Sequence, residues 1–205
     1  MNYYIDFDYT LFDTYKFRQE LYKILENNGL NETYLTVTPE MKENGKNLLN
    51  VRQVFKYLAK TNGIELENFI EPLEKLYSIC EDFLYNDSIE FLSYLKSKGN
   101  KLYLLTWGDK EFQKEKVIST KIDKYFDKMY FTEELKYTLD CIDYTQGIFL
   151  DDSIRDLEGL YSRNPLKVIR IKRENGSNSN KELNIKDVLE YSSLIDLKKD
   201  LELNR

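Results

Sequence analysis

The chain has 205 residues, room for one sizeable α/β domain with an insertion. Hydrophobic residues at 41% and aromatics at 14% supply a core beside 32% charged residues, and a net charge of −6 leaves no overall positive field for a phosphate backbone, so nucleic acid is not an expected partner. There is no histidine, which excludes Ser-His and Cys-His catalysis and any His-containing metal site, and the two cysteines, Cys80 and Cys141, form no CxxC.

Residues 2–7, NYYIDF, read as a strand whose polar end runs into Asp8, Tyr9 and Thr10, so carboxylates sit where the strand stops. This start lacks the basic and apolar regions of a signal peptide, and no apolar run approaches membrane-spanning length; a cytoplasmic protein with reduced, buried cysteines is expected. From Thr14 to Leu84 the pattern turns helical. Phe17, Leu21, Ile24 and Leu25 share a face before Gly29, and further helices are expected at Pro39–Asn44, Leu49–Lys60 and Leu66–Leu84, with Pro72 tolerable only near a first turn or at a break. Then DSIEFLSYLKSKG reads as a helix capped by Asp87 and closed by Gly99.

A βα rhythm follows: strand KLYLLTWG, a charged helix over Lys110–Thr120, strand KMYFT, a short segment around Lys136, strand GIFLDD, helix SIRDLEGLYS and strand LKVIRIK. The polar run at 173–184 reads as a loop and DLKKDLEL as a closing helix. Near-continuously apolar strands alternating with helices predict an α/β fold, a mainly parallel sheet with helices on both faces, interrupted after its first strand by a helical insert.

Chemistry-bearing residues collect at strand ends: Asp6 and Asp8, then Thr106, then Asp151 and Asp152, with Lys136 between the last two groups. The carboxyl ends of parallel strands lie along one edge, so these residues can meet in one crevice. Carboxylates brought together repel and need a cation, and an all-oxygen set suits Mg²⁺.

In this order DFDYTLF, LLTWG, a downstream lysine and FLDDSIRD resemble the four motifs of the haloacid dehalogenase superfamily, over residues 1–172. The resemblance implies a Rossmann-like catalytic core, residues 1–13 and 85–205, and a helical cap, residues 14–84, hinged near 12–15 and 84–87. It implies Asp6 as the nucleophile that attacks phosphorus, and Asp8 as the acid that protonates the leaving group and then the base that activates water. Thr106 would bind a phosphoryl oxygen, with Trp107 and Gly108 beside it, and Lys136 would bind the phosphate and the nucleophile. Mg²⁺ would be held by Asp6, Asp8 and Asp152, with Asp151 as the alternative and Asp156 in an outer shell. Because EELKYT lacks the proline that commonly follows the motif-three lysine, Lys124 and Lys128 are alternatives to Lys136. Asp8 is expected to be protonated before attack, since neighbouring carboxylates do not all ionise easily.

The superfamily's dehalogenases lack an acid at the second position, so Asp8 favours phosphoryl chemistry. The expected activity is that of a Mg²⁺-dependent phosphohydrolase acting on a small phosphorylated metabolite, a sugar phosphate or nucleotide, through an aspartyl-phosphate. A sugar phosphomutase and a non-catalytic phosphate-binding or signalling domain are the alternatives. Lys46, after Gly45, and Arg52 are candidate substrate contacts from the cap, against the plainer reading of exposed basic residues. Trp107 is either a stacking platform or packing.

Overall fold

The computed structural model describes residues 1–35, 48–176, 178–183, 185 and 188–203. Strand β1, Asn2–Ile5, lies at the centre of a six-stranded sheet, flanked by β2, Lys101–Trp107, and by β4, Gly147–Asp151. Beyond β2 lies β3, Lys128–Thr132, and beyond β4 lie β5, Lys167–Ile171, and β6, Leu189–Tyr191. The order is β3-β2-β1-β4-β5-β6 and every pairing is parallel. The chain winds outward from β1 through β2 and β3, then crosses back to β4 on the other side. The carboxyl end of β1 is therefore the point at which the strand order reverses, where a parallel sheet opens a crevice.

Alternation along the strands sends side chains to two apolar layers. Tyr3, Ile5, Leu102, Leu104, Ile148 and Leu150 pack on one face, and Tyr4, Leu105, Phe149 and Val168 on the other. Three helices cover the first face: α4 (Ser88–Ser97) through Phe91 and Leu92, α5 (Lys110–Ser119) through Val117, and α7 (Leu194–Leu203) through Leu194 and Leu197. Leu157 and Leu160 of α6, Ile154–Tyr161, cover the second. Both faces are covered, as the apolar strands predict, and the fold is Rossmann-like α/β.

Between β1 and α4 lie α1 (Thr14–Glu26), α2 (Val51–Asn62) and α3 (Glu67–Ser78), with no strand among the described residues of that stretch. The expected helix at Pro39–Asn44, together with Gly45 and Lys46, lies outside the described residues. Three local expectations need correction. Pro72 sits well beyond the first turn of α3, and the Asn68 carbonyl that its missing N–H would have served accepts Nδ2 of Asn28 at 3.4 Å instead. Asp87 starts α4 without capping it, because its carboxylate is taken by Arg173 (2.8 and 2.7 Å) and by the amide of Leu194 (2.9 Å). Cys141 is exposed, whereas Cys80 is buried; both are free thiols. Among the described residues no helix is long and apolar enough to cross a membrane.

Candidate active site

The loop after β1 is a tight turn in which the carbonyl of Phe7 accepts amides of Thr10, Leu11 and Phe12 at 3.3, 2.9 and 3.0 Å. Tyr9 at its centre has φ 58°, a left-handed conformation costly for a bulky residue, of the kind that persists where surrounding structure enforces it. Stacking of Phe7 on Phe12, with centroids 4.7 Å apart, helps hold it. The turn fixes the directions of Asp6 and Asp8, and they part company.

Asp6 is 4% exposed and points toward β4. Lys136, carried by a short 3-10 turn at Lys136–Thr138 and itself buried, donates to Asp6 at 2.6 Å and to Asp151 at 2.7 Å, with Asp156 at 4.0 Å. Oxygen atoms of Asp6, Asp151 and Asp152 lie within 4.8 Å of one another, all three residues being buried. Lys124 and Lys128 have no part in this cluster. Burial and the neighbouring carboxylates push the Asp6 carboxyl well above its usual range even against Lys136, and burial followed by the charge of Asp151 brings Asp152 to about 7. Burial opposes the charge on Lys136, but Asp151 and Asp6 outweigh it and hold the ammonium charged. One lysine against three carboxylates leaves the cluster short of positive charge. An all-oxygen donor set in that condition fits a hard divalent cation.

Asp151 is engaged on both sides, by Lys136 and by the amide of Ser153 at 2.8 Å, and does not face the cavity described below, whereas Asp152 does. Asp156 lies outside the close triad and takes Arg155 at 3.3 and 3.2 Å; its own amide donates to Ser153, the residue capping α6. Thr106, 1% exposed at the end of β2, has a hydroxyl with no hydrogen-bond partner among the described residues. A buried hydroxyl left so is an acceptor and donor awaiting something.

Asp8 turns the other way. Its carboxylate accepts from Lys116 (2.6 Å), Gln113 (2.8 Å) and the hydroxyl of Thr14. Burial alone would raise its carboxyl, but Lys116 and the other donors outweigh burial and hold it below the usual carboxylate range. The expectation of a protonated Asp8 is therefore corrected: in this arrangement it is an ion-paired carboxylate, and it does not join the triad as a side-chain ligand. Sequence reasoning missed Lys116, Gln113 and Thr14. For the two on α5 the only signal was helical spacing, since 113 and 116 share a face of that helix, and a lysine so placed reads more readily as solvated. Gly108 serves this contact: at φ 147°, a Cβ there would meet Nε2 of Gln113 at 2.7 Å.

A cavity of about 710 Å³ opens over Asp6, Asp8, Lys136 and Asp152, walled by α1, by residues 48 and 49, and by the turns after β2 and β4. Trp107 lines it with the Arg155 guanidinium 4.8 Å above its ring. Arg52 does not line it. It is paired with Glu115 and with Glu74 (2.7 Å) and lies 5.5 Å over the Tyr77 ring, tying α2 to α3 and α5.

Residues 4–145, more than half the chain and including the DFDYT and LLTWG segments, match the family of haloacid dehalogenase-like hydrolases. The chain belongs to that family. Structural likeness to solved proteins runs over nearly the full length. The magnesium-bound YfnB of Bacillus subtilis, named as a HAD-hydrolase, is 16% identical with a TM-score of 0.58, and the match covers 98% of this chain and 97% of that one. The haloacid dehalogenase-like hydrolase SP0104 of Streptococcus pneumoniae is 14% identical, TM-score 0.60, covering 98% and 97%. A predicted phosphoglycolate phosphatase from Haemophilus somnus 129PT is 18% identical, TM-score 0.60, covering 97% and 96%. At these identities the likeness speaks for the shared fold. No curated protein sequence matches the chain.

Proposed function

We propose that this haloacid dehalogenase-like hydrolase is a Mg²⁺-dependent phosphatase that cleaves small phosphomonoesters through an aspartyl-phosphate on Asp6. The observation that carries the reading is Lys136, whose ammonium sits between the nucleophile candidate and the acidic pair of β4, at 2.6 Å from Asp6 and 2.7 Å from Asp151. A carboxylate approaching a phosphate dianion meets repulsion that only fixed positive charge offsets, and catalysis of phosphoryl transfer is largely positioning and electrostatics. Asp6 and Asp152, with Asp151 behind them, would hold Mg²⁺, which supplies the remaining positive charge.

An oxygen of Asp6 forms the new bond to phosphorus as the ester oxygen leaves with its electron pair, and Lys136 and the Thr106 hydroxyl hold the phosphoryl oxygens. The departing oxygen takes a proton, which Asp8 supplies once it has been freed from its three donors and has taken up a proton. In the second step water attacks the aspartyl-phosphate, and Asp8, already a carboxylate here, takes the water's proton while Asp6 is released. The helices of residues 14–84 act as a cap whose closure excludes water, with the crossing points at Phe12 and Leu84 as hinges. Those two residues form an antiparallel bridge, which ties the two crossings to each other.

The test is release of phosphate from p-nitrophenyl phosphate with Mg²⁺. Asp6→Asn is expected to lower turnover at least about a thousandfold while keeping the wild-type fold by circular dichroism. Wild-type turnover in that variant would end the proposal.

A further inference from the structure

The polar run after β5 returns to the catalytic edge of the sheet. Its described residues between β5 and β6 form turns and no helix or strand, yet Asn178 and Lys181 line the cavity together with Asp152. Arg170 accounts for how such a segment is held. It stands in β5 in register with Asp151 of β4 and Glu190 of β6, fully buried, where an unpaired charge would be costly. Its guanidinium is paired with Glu190 at 2.7 Å and donates to the carbonyls of Asn178 at 2.7 Å and Lys181 at 3.0 Å. The amide of Lys181 donates to the same Asn178 carbonyl at 3.0 Å and closes the turn. A charged planar fork on two carbonyls fixes the backbone of a segment that has no ladder of its own to do so.

What the fixed segment presents is the side chain of Asn178, which hydrogen-bonds the Asp152 carboxylate. The other two carboxylates of the triad have holders within the four motifs: Asp6 has Lys136, and Asp151 has Lys136 and the amide of Ser153. Asp152 draws on a residue beyond them. An amide donor suits a metal ligand, because it fixes the direction of the carboxylate, leaves lone pairs for the cation and, being neutral, does not compete with that cation as a further lysine would. We propose that Asn178 is a positioning residue of the metal site, its amide holding the Asp152 carboxylate for Mg²⁺, with Arg170 holding Asn178 in turn. The inference rests on the phosphatase reading above in taking Mg²⁺ as the cation, and it makes the loop after β5 a part of the active site.

The experiment titrates the full chain with Mg²⁺ alone by calorimetry and follows phosphate release from p-nitrophenyl phosphate over the same Mg²⁺ range. Asn178→Leu keeps roughly the shape of the side chain and removes the donor. Its Mg²⁺ dissociation constant is expected to rise about ten- to a hundredfold, and the Mg²⁺ concentration for half-maximal turnover by the same factor. The metal-free melting temperature is expected to stay within about three degrees of wild type, which a merely structural role would not allow. Arg170→Lys keeps the charge facing Glu190 and loses the fork across the two carbonyls. Its dissociation constant is expected to rise at least about threefold, and the double variant to bind Mg²⁺ no more weakly than Asn178→Leu alone, since Arg170 acts through Asn178. An unchanged dissociation constant in Asn178→Leu overturns the proposal even where the wild-type protein proves to be a phosphatase. Multiplying effects in the double variant remove Arg170 from it. Weaker Mg²⁺ binding in Asn178→Leu with no ester cleaved by the wild-type protein keeps the proposal and ends the phosphatase reading, and a wild-type protein that binds no Mg²⁺ overturns both.

Discussion

Thr106 and Lys116 show that an unpaired group and a paired one make opposite demands. The Thr106 hydroxyl is buried without a partner, so the protein already bears its desolvation cost, and replacing it with an isosteric apolar group removes that cost. Thr106→Val is therefore expected to leave thermal stability unchanged or slightly raised while lowering kcat roughly ten- to a hundredfold, through loss of one contact to a phosphoryl oxygen. A variant that loses stability, or that keeps full kcat, would show the hydroxyl to be structural. Lys116 is the reverse case. It lies among the rings of Phe7, Phe12 and Phe112, and its ammonium is what holds the Asp8 carboxyl low against burial. In Lys116→Met burial acts unopposed by that charge, and the Asp8 carboxyl rises. If Asp8 is the base of the second step, the acid limb of the kcat profile shifts to higher pH. A profile that falls in height without moving on the pH axis would mean that Lys116 supports the fold and not Asp8.

These residues also mark where the sequence was legible. Asp6, Asp8, Thr106 and Asp152 were visible because each lies at or just past the end of an apolar strand, and a strand end in a parallel sheet has one address in space. Lys136 was legible only by its order among the other motifs. Lys116, Gln113 and Thr14 were not, because a polar residue on a helix points either to solvent or inward, and only the packing of α5 beside the Asp8 turn decides which. The ion pairing of Asp8 was illegible for the same reason: two carboxylates two residues apart suggest mutual repulsion, but the turn at Tyr9 sends them to different partners.

The elements that position the site are coupled through small, specific contacts. Gly159 of α6 has the ring of Tyr137 laid against it, so close that a Cβ would fall 2.0 Å from Cδ1. Tyr137 follows Lys136 in the 3-10 turn, and that turn is pinned further by the Tyr144 hydroxyl, which donates to the Lys136 carbonyl at 2.8 Å. Gly159→Ala must displace ring or helix, and overpacking of this kind costs about 1–3 kcal/mol. The displacement passes to Lys136, so kcat is expected to fall roughly tenfold or more alongside the melting temperature, measured by calorimetry and by phosphate release. Loss of stability with kcat intact would show that the turn holds Lys136 independently of α6. No sequence pattern announces such a contact, since a glycine within a helix can as well be a propensity defect. The strands were readable because their apolar runs are nearly continuous. The β6 strand was not, having three residues, none of them buried, and Asp87 was misread as a cap because its real partner, Arg173, lies 86 residues away.

For the whole molecule, folding gathers Asp6, Asp151 and Asp152 into one buried group, and this links stability, pH and metal. Their carboxyls are raised in the folded protein, Asp152 to about 7, whereas in the unfolded chain they return to the ordinary carboxylate range. Between the ordinary range and about 7 the native state therefore binds more protons than the unfolded state. Stability contributed by these groups is present below that window and is lost as pH rises through it. Asp8, held low, acts in the opposite sense, its contribution being lost as pH falls, but it is one group against three. Without metal, the melting temperature is expected to decline from pH 5 to pH 8. Mg²⁺ needs the ionised triad, so its stabilisation, which grows with the logarithm of ligand over dissociation constant, should be larger at pH 8 than at pH 5.5 by several degrees. Overall negative charge would also depress stability at high pH. Asp152→Asn separates the two effects: it removes one negative charge from a net of −6 but a principal member of the triad, so it should flatten the metal-free decline and abolish most of the Mg²⁺ shift. Equal Mg²⁺ shifts at both pH values, in the wild-type protein, would mean that the triad neither holds the protons nor binds the metal.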